Sequence, residues 1–273
     1  MPVKDMKKIA LLLAILCCLF LTPSAHSRVA DDSRVPIVGS HESLRAVVGK
    51  MAMNLNSETK LRPAGEFRYI DKAFRELHYY GFFDYATHYY YTWDSDSLEV
   101  NFRVTLADNA ILYAAHRNHR MRRKLNGKQR RALRAAESCV ERAVKPGMTR
   151  AEIVRALHDE VAAICTYDRG NIFNQSCVSV LNRKKGACGA YARTLWLLLA
   201  MNDIRSFVIQ GKENTGGPHA WNLVELEKDK WYHVDVTWDD MVPVSYRYFC
   251  LTDDQIKRDH KWDSRFYPKT PKQ

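Results

Sequence analysis

From Ala190 to Met201 the chain runs Ala-Tyr-Ala-Arg-Thr-Leu-Trp-Leu-Leu-Leu-Ala-Met, a helical stretch with one charge and apolar side chains on almost every face. A helix of that kind has to be covered on all sides. Its neighbours in sequence say what covers it. Upstream, Gln129–Val144 has a helical pattern that stops at Pro146-Gly147. Thr149-Arg150-Ala151-Glu152 is then a capping box, opening a helix with Ile153, Leu157, Val161 and Ile164 facing inward. A polar loop, Asp168 to Ser176, leads to Gly186-Ala187-Cys188-Gly189 at the start of the apolar helix. Beyond Asn202-Asp203 the pattern changes to strands over 205–211, 219–227 and 231–238. Helices followed by consecutive strands predict an α+β domain with the central helix on an antiparallel sheet.

The other end of the chain reads differently. Lys4, Lys7 and Lys8 precede an unbroken apolar run from Ile9 to Leu21, and Ala25-His26-Ser27 places small residues where a signal peptidase reads. The run is short of the roughly 20 residues a spanning helix needs. Residues 1–27 are therefore expected to be a signal peptide cleaved after Ser27. The mature protein is then exported (periplasmic, cell-surface or secreted) and not membrane-spanning; an uncleaved anchor is the alternative. Leu16 stands where a lipobox before Cys17 wants a small residue, which argues against lipidation.

Residues 28–125 are expected to form a small α+β unit. Ser40 can cap a helix carrying Leu44, Val47, Val48, Met51 and Leu55 on one face, and Tyr69–Tyr80 reads as a second helix. His88–Trp93 and Leu98–Leu106, separated by Asp94-Ser95-Asp96-Ser97, read as a hairpin. The boundary is placed at 125/126, beside Asn126-Gly127, so that 126–273 make up the second domain.

The leader's three lysines and one aspartate leave the mature chain +9 of the total +11. Nine Lys or Arg and no acid lie between Arg117 and Arg134. Such a run can adhere to an anionic cell-envelope surface. With no interleaved aromatic residue to stack on bases, it does not point to nucleic acid. A solvated linker and helix face is the alternative reading.

Five cysteines follow the leader: Cys139, Cys165, Cys177, Cys188 and Cys250. In an oxidising compartment cysteines pair. Two disulfides are expected with one thiol left over; four cysteines allow three connectivities, between which the sequence does not choose, and Cys165–Cys177, closing a short loop, is the pairing favoured here.

Cys188 is the thiol of interest. A helix N-terminus carries unpaired N–H groups and partial positive charge, which favour a thiolate and can receive an oxyanion. A buried structural cysteine or half of a disulfide is the alternative for any single residue. His219 opens a strand after Gly216-Gly217-Pro218, and Asp235 lies in the next strand. A thiol needs a base to share its proton, and the base needs an acid to fix its orientation. His233 shares a strand face with Asp235 and reads as a satisfied core residue. A zinc site from Cys188, His219 and His233 lacks paired ligand spacing, so neither metal nor cofactor is expected. His260 is expected to play a structural role near the C-terminal edge.

Three segments resemble motifs of the transglutaminase-like superfamily: Gly186-Ala187-Cys188-Gly189-Ala190-Tyr191-Ala192, His219-Ala220-Trp221-Asn222 and Trp231-Tyr232-His233-Val234-Asp235-Val236-Thr237-Trp238-Asp239-Asp240. The endings Tyr248-Phe249-Cys250-Leu251-Thr252 and Asp259-His260-Lys261-Trp262 are similar to the bacterial and kyphoscoliosis-peptidase-like branch. The resemblance spans about residues 128–265 and implies a papain-like core. It implies Cys188 as nucleophile, His219 as general base and acid, and Asp235 as orienter. By analogy with papain-like enzymes Gln175 is a candidate oxyanion donor, although it precedes Cys188 by thirteen residues. Trp221 and Trp238 are candidates for a substrate groove, with core packing the alternative. No Asp-x-Asp-x-Asp-Gly calcium loop is present, which weakens any inference to regulated crosslinking.

The expected function is acyl transfer on a peptide or glutamine carboxamide through a thioester, with hydrolysis (protease or amidase) favoured over amine crosslinking. A protein-crosslinking transglutaminase and a catalytically silent cell-surface binding module are the competing readings. One geometric condition attaches to the triad. With a three-residue turn at Lys228-Asp229-Lys230, Asp235 pairs with Leu223, and His219 lies four residues farther on, about 13 Å away. Contact therefore predicts a tighter turn or a bulge in this hairpin.

Overall fold

The computed structural model describes residues 10–11, 35–64, 84–94 and 99–272. The helix expected over 69–80, the turn at 95–98 and all of the leader but Ala10–Leu11 lie outside these. The N-terminal part comprises β1 (Ala10–Leu11), β2 (Ile37–Val38), α1 (His41–Asn54), β3 (Glu58–Pro63), β4 (Ala86–Asp94) and β5 (Glu99–Leu106). Ser40 caps α1 with the reciprocal Ser40–Ser43 bonds of a capping box. The strands form one sheet in the order β1-β4-β5-β3-β2, with β4 and β5 antiparallel as the hairpin pattern predicts. Val100, Phe102 and Val104 of β5 face the core, and Asn101, Arg103 and Thr105 face outward.

Helices α2 (Asp108–Arg117), α3 (His119–Lys124), α4 (Gly127–Ala143) and α5 (Arg150–Ile164) follow. Thr149 and Glu152 make the predicted capping box at α5. Then come β6 (Thr166–Tyr167), α6 (Cys177–Arg183), β7 (Lys185–Gly186) and α7 (Cys188–Ala200). Every residue of α7 is buried. Two features were not legible in the sequence. The basic run holds helix α3 ahead of the predicted α4, with Arg122 forked onto Glu137 at 2.7 and 2.8 Å. Second, α6 rises from the end of the polar loop, capped by Ser176.

The C-terminal part is β8 (Ser206–Glu213), β9 (Pro218–Glu227), β10 (Lys230–Val234), α8 (Val236–Asp239), β11 (Phe249–Leu251), α9 (Asp253–Ile256) and β12 (His260–Lys261). Its sheet has the order β11-β10-β9-β8-β12 and is antiparallel throughout. Helix α7 packs on β8 and β9, which is the predicted α+β core with its central helix on an antiparallel sheet. On its other flanks α7 meets α2, α5 and α6. Helix α2 precedes the proposed boundary at 125/126, yet Tyr113 on it and Tyr85 both stand edge-on to Trp196 of α7, at 5.9 and 5.3 Å. Asp84 also accepts from Val208 N at 2.7 Å.

Two expectations are corrected. The third strand ends at Val234 rather than Trp238, because the Asp235 carboxylate caps the backbone of Thr237 and Trp238 and turns the chain out of the sheet. The Cys165–Cys177 bridge is not formed: all five described cysteines are free thiols. Cys165 caps the end of α5 and Cys177 opens α6, each buried among core side chains. Burial pushes the Cys139 and Cys165 thiols up to about 11 and Cys250 up to about 12, and raises Cys177 as well.

Candidate active site

Cys188 is the first residue of α7 and is 8% exposed. Ala187 at the N-cap makes no side-chain hydrogen bond, so no cap occupies the first-turn N–H groups. The preceding loop is tied down instead: Ala187 N donates to Asn174 O at 2.8 Å. Arg193, the single charge of the helix, is buried and donates to Gln175 O at 2.7 Å. The otherwise apolar helix thus spends its one cation on holding the loop beside its own N-terminus. The carboxamide of Gln175 lies where a Cβ on residue 189 would stand, so Gly189 is the residue that admits it. Its Nε2 donates to Ile172 O in this arrangement.

His219 and Asp235 meet because the hairpin is tighter than a three-residue turn allows. Asp229 takes a left-handed conformation at φ 60°, Lys230 pairs with Glu227, and an irregularity before Trp231 sets it opposite Glu225. Val234 is then opposite Asn222, and the continuation brings Asp235 level with Trp221. The pairing has slid by two residues, so His219 lies about 7 Å along the strand rather than 13. Side chains span that gap: His219 Nε2 lies 2.7 Å from Asp235 Oδ2. The predicted shift and contact are both present. Asp235 Oδ1 accepts from Thr237 N at 3.0 Å and Trp238 N at 3.4 Å, and its own N–H donates to Tyr248 O. With Nε2 facing Asp235, Nδ1 is the ring nitrogen that remains, and the Cys188 thiol is among the groups whose electrostatic influence reaches the ring. Burial disfavours the charged ring, but the Asp235 carboxylate and the thiol outweigh it and raise the His219 pKa. Burial likewise opposes ionisation of Asp235, and the neighbouring imidazoles outweigh it and hold that carboxyl low.

Residues 137–236 match the family model described as the transglutaminase-like superfamily. This stretch is a transglutaminase-like domain. No curated protein matches the chain. Among solved structures, a TGase is similar at 19% identity and TM-score 0.37, over 51% of this chain and 41% of that one. A candidate cysteine protease from Cytophaga hutchinsonii is similar at 18% identity and TM-score 0.34, over 39% and 37%. The chain thus spans about two fifths of the length of each structure. Transglutaminase-like proteins are in general cysteine-nucleophile enzymes, and Cys188, His219 and Asp235 all fall within the matched stretch.

The surroundings of Cys188, His219 and Asp235 revise several expectations. Trp221 is 1% exposed, so it does not line a groove; its ring stacks beside His219 and its Nε1 donates to His233 Nδ1 at 2.9 Å. His233 is buried and also bonds Asp253 at 2.9 Å through Nε2, a satisfied core histidine as expected. Trp238 is partly exposed and lies 5.3 Å from the His219 ring, so it remains the groove candidate. Asp240 is engaged by the Tyr191 hydroxyl at 2.6 Å, and Asp239 by the Tyr248 N–H at 3.0 Å. His260 lies on the edge strand β12, near the C-terminal edge as expected, and its Nε2 is 3.0 Å from Asp235 Oδ2, which brings it into contact with the site. Ligand atoms of His219, Asp235 and His260 lie within 4.8 Å of one another, near enough for a metal. The 2.7 Å contact is nonetheless shorter than the roughly 3.3 Å between two tetrahedral zinc ligands. Hydrogen bonds already fill this cluster.

Proposed function

We propose that the chain is an exported cysteine acyl-transfer enzyme acting on peptide or glutamine carboxamides, with Cys188, His219 and Asp235 as its triad. The observation that carries this reading is the 2.7 Å His219–Asp235 contact, together with a thiol at an uncapped helix start in the same matched stretch. The Cys188 sulfur attacks the carboxamide carbon, and the carbonyl electrons move to oxygen, stabilised by the first-turn N–H groups. The intermediate collapses by expelling the amine, which takes its proton from His219. Water then attacks the thioester, giving its proton to His219, and the Cys188 sulfur leaves. Asp235 keeps the imidazole in one tautomer through both steps.

Hydrolysis is favoured over amine transfer because no amine-binding feature is recognisable among the described residues. Trp238 is proposed to border the acyl site and Gln175 to assist the oxyanion. Among the described residues no helix is long and apolar enough to cross a membrane. Export rests on the leader pattern. Adhesion to an anionic envelope surface rests on the exposed Arg120, Arg123, Lys124, Lys128, Arg131 and Arg134.

The test is incubation with a peptide library and a labelled primary amine, read by mass spectrometry. Cleavage or deamidation is expected, abolished in Cys188→Ala. Amine incorporation as the main product would make the enzyme a crosslinker, and turnover surviving in Cys188→Ala would overturn the triad reading.

A further inference from the structure

We infer that His260 is a positioning residue for this triad: it fixes the carboxylate oxygen that His219 uses. The inference rests on the triad reading above. Asp235 Oδ2 receives His219 Nε2 at 2.7 Å and His260 Nε2 at 3.0 Å, while Oδ1 receives two backbone N–H groups. The carboxylate therefore has a donor on each side of the oxygen that orients the imidazole. Backbone donors fix one end, and only His260 fixes the other independently of His219.

His260 is itself built in. Its Nδ1 faces Asp259 Oδ1 at 3.0 Å, and the Tyr248 hydroxyl donates to Asp259 Oδ2 at 2.8 Å. Each ring nitrogen thus faces a carboxylate oxygen, Nε2 that of Asp235 and Nδ1 that of Asp259. The ring is 1% exposed, between Trp238 at 4.4 Å and Trp221 at 4.7 Å. Its strand β12 pairs with β8 at Lys212 and Glu213, immediately beside Gly211, the partner of His219. A Cβ at Gly211 would strike both the Lys261 carbonyl and the Trp221 ring, so this glycine lets the His260 segment close on the triad. A histidine serving packing alone would need hydrogen-bond partners, but not the triad's own oxygen.

The experiment measures alkylation of each cysteine by iodoacetamide at pH 6 in the full-length protein, with melting temperatures alongside. His260→Phe keeps a ring and removes both ring nitrogens, and is expected to slow Cys188 alkylation about tenfold or more. His260→Gln keeps a donor at the Nε2 position and is expected within about threefold of wild type, the rescue that a packing role would not give. Asp259→Asn, at a partly buried partner and close to isosteric, tests the same chain with little change of volume and is expected to slow alkylation about threefold. Wild-type rates in both His260→Phe and Asp259→Asn would overturn the inference, as would equal slowing by Phe and Gln. If His260→Phe does not fold, the Gln and Asn variants decide. A wild-type Cys188 no faster than the other thiols would instead overturn the triad reading itself.

Discussion

The side-chain oxygen of Gln175 occupies the space that a Cβ on Gly189 would fill, one residue after the candidate nucleophile. Thirteen residues of separation in sequence are thus closed by the loop that Arg193 holds. An oxyanion donor acts only once the carbonyl is attacked. In this structure Gln175 Nε2 donates to Ile172 O, so the carboxamide has to turn before it can donate to an oxyanion; with that turn, Gln175→Ala is expected to lower turnover about 100-fold while leaving Cys188 alkylation near wild type. Equal loss of both rates would make Gln175 a structural prop. Gly189→Ala should disturb both, because the added methyl displaces the loop.

The hairpin that slides His219 toward Asp235 is held by Glu225. This buried carboxylate accepts from Arg205 Nε at 2.7 Å, Arg150 at 3.1 Å and Asp229 N at 2.9 Å, the last inside the turn. Removing one partner of a buried charge network costs about 3–5 kcal/mol. Glu225→Ala should show such a loss in urea unfolding and should also slow Cys188 alkylation. A stable variant with intact alkylation would mean that the turn sets its register without this anchor.

Stability should depend on pH through the same pair. The His219 pKa is raised to about 10, against an opposing burial effect, by Asp235 and the thiol. Its contribution is complete below the unfolded value of about 6.5 and is lost as pH rises through about 10. Asp235 is held down to about 2, again against burial, by His219 and His260. That contribution is present above the unfolded value of about 3.8 and fades as pH falls through about 2. The stability gap between wild type and His219→Gln should be widest between about pH 4 and 6.5. Urea titrations at three pH values check this, and a gap that widens toward pH 10 would contradict it.

Thiol titration of denatured, unreduced protein should find Cys139, Cys165, Cys177, Cys188 and Cys250 all free. Under native conditions Cys188 should react first, since burial pushes the other four thiols up. One thiol per chain on denaturation would restore the two-disulfide expectation.

Much of the frame was legible because it rests on local pattern. The all-round apolarity of 190–201 fixed a buried helix, Thr149 and Glu152 fixed a helix start, and alternation fixed β5. The candidate triad was read from motifs, and the distance of about 13 Å along the strand showed that a simple three-residue turn could not bring His219 to Asp235. What escaped was non-local. Nothing near Glu225 says that its carboxylate grips a turn four residues on. His260 reads as an edge residue because its partner lies 25 positions earlier. The one hint was Asp259 beside it, since an adjacent carboxylate often orients a working imidazole. Trp221 was misplaced because strand alternation gives a face but not which layer covers it.

Trp196 sits two turns along the helix that begins at Cys188, and its ring is wedged by Tyr85 and Tyr113 from the N-terminal part. The family match begins only at residue 137, so these clamping rings lie outside what defines the family. A truncated protein cut at residue 126 would bare the far end of the nucleophile's own helix. The N-terminal part therefore covers one side of the helix that begins at Cys188, and a domain excised at residue 126 is expected to expose Trp196 unless new partners supply rings in place of those two tyrosines.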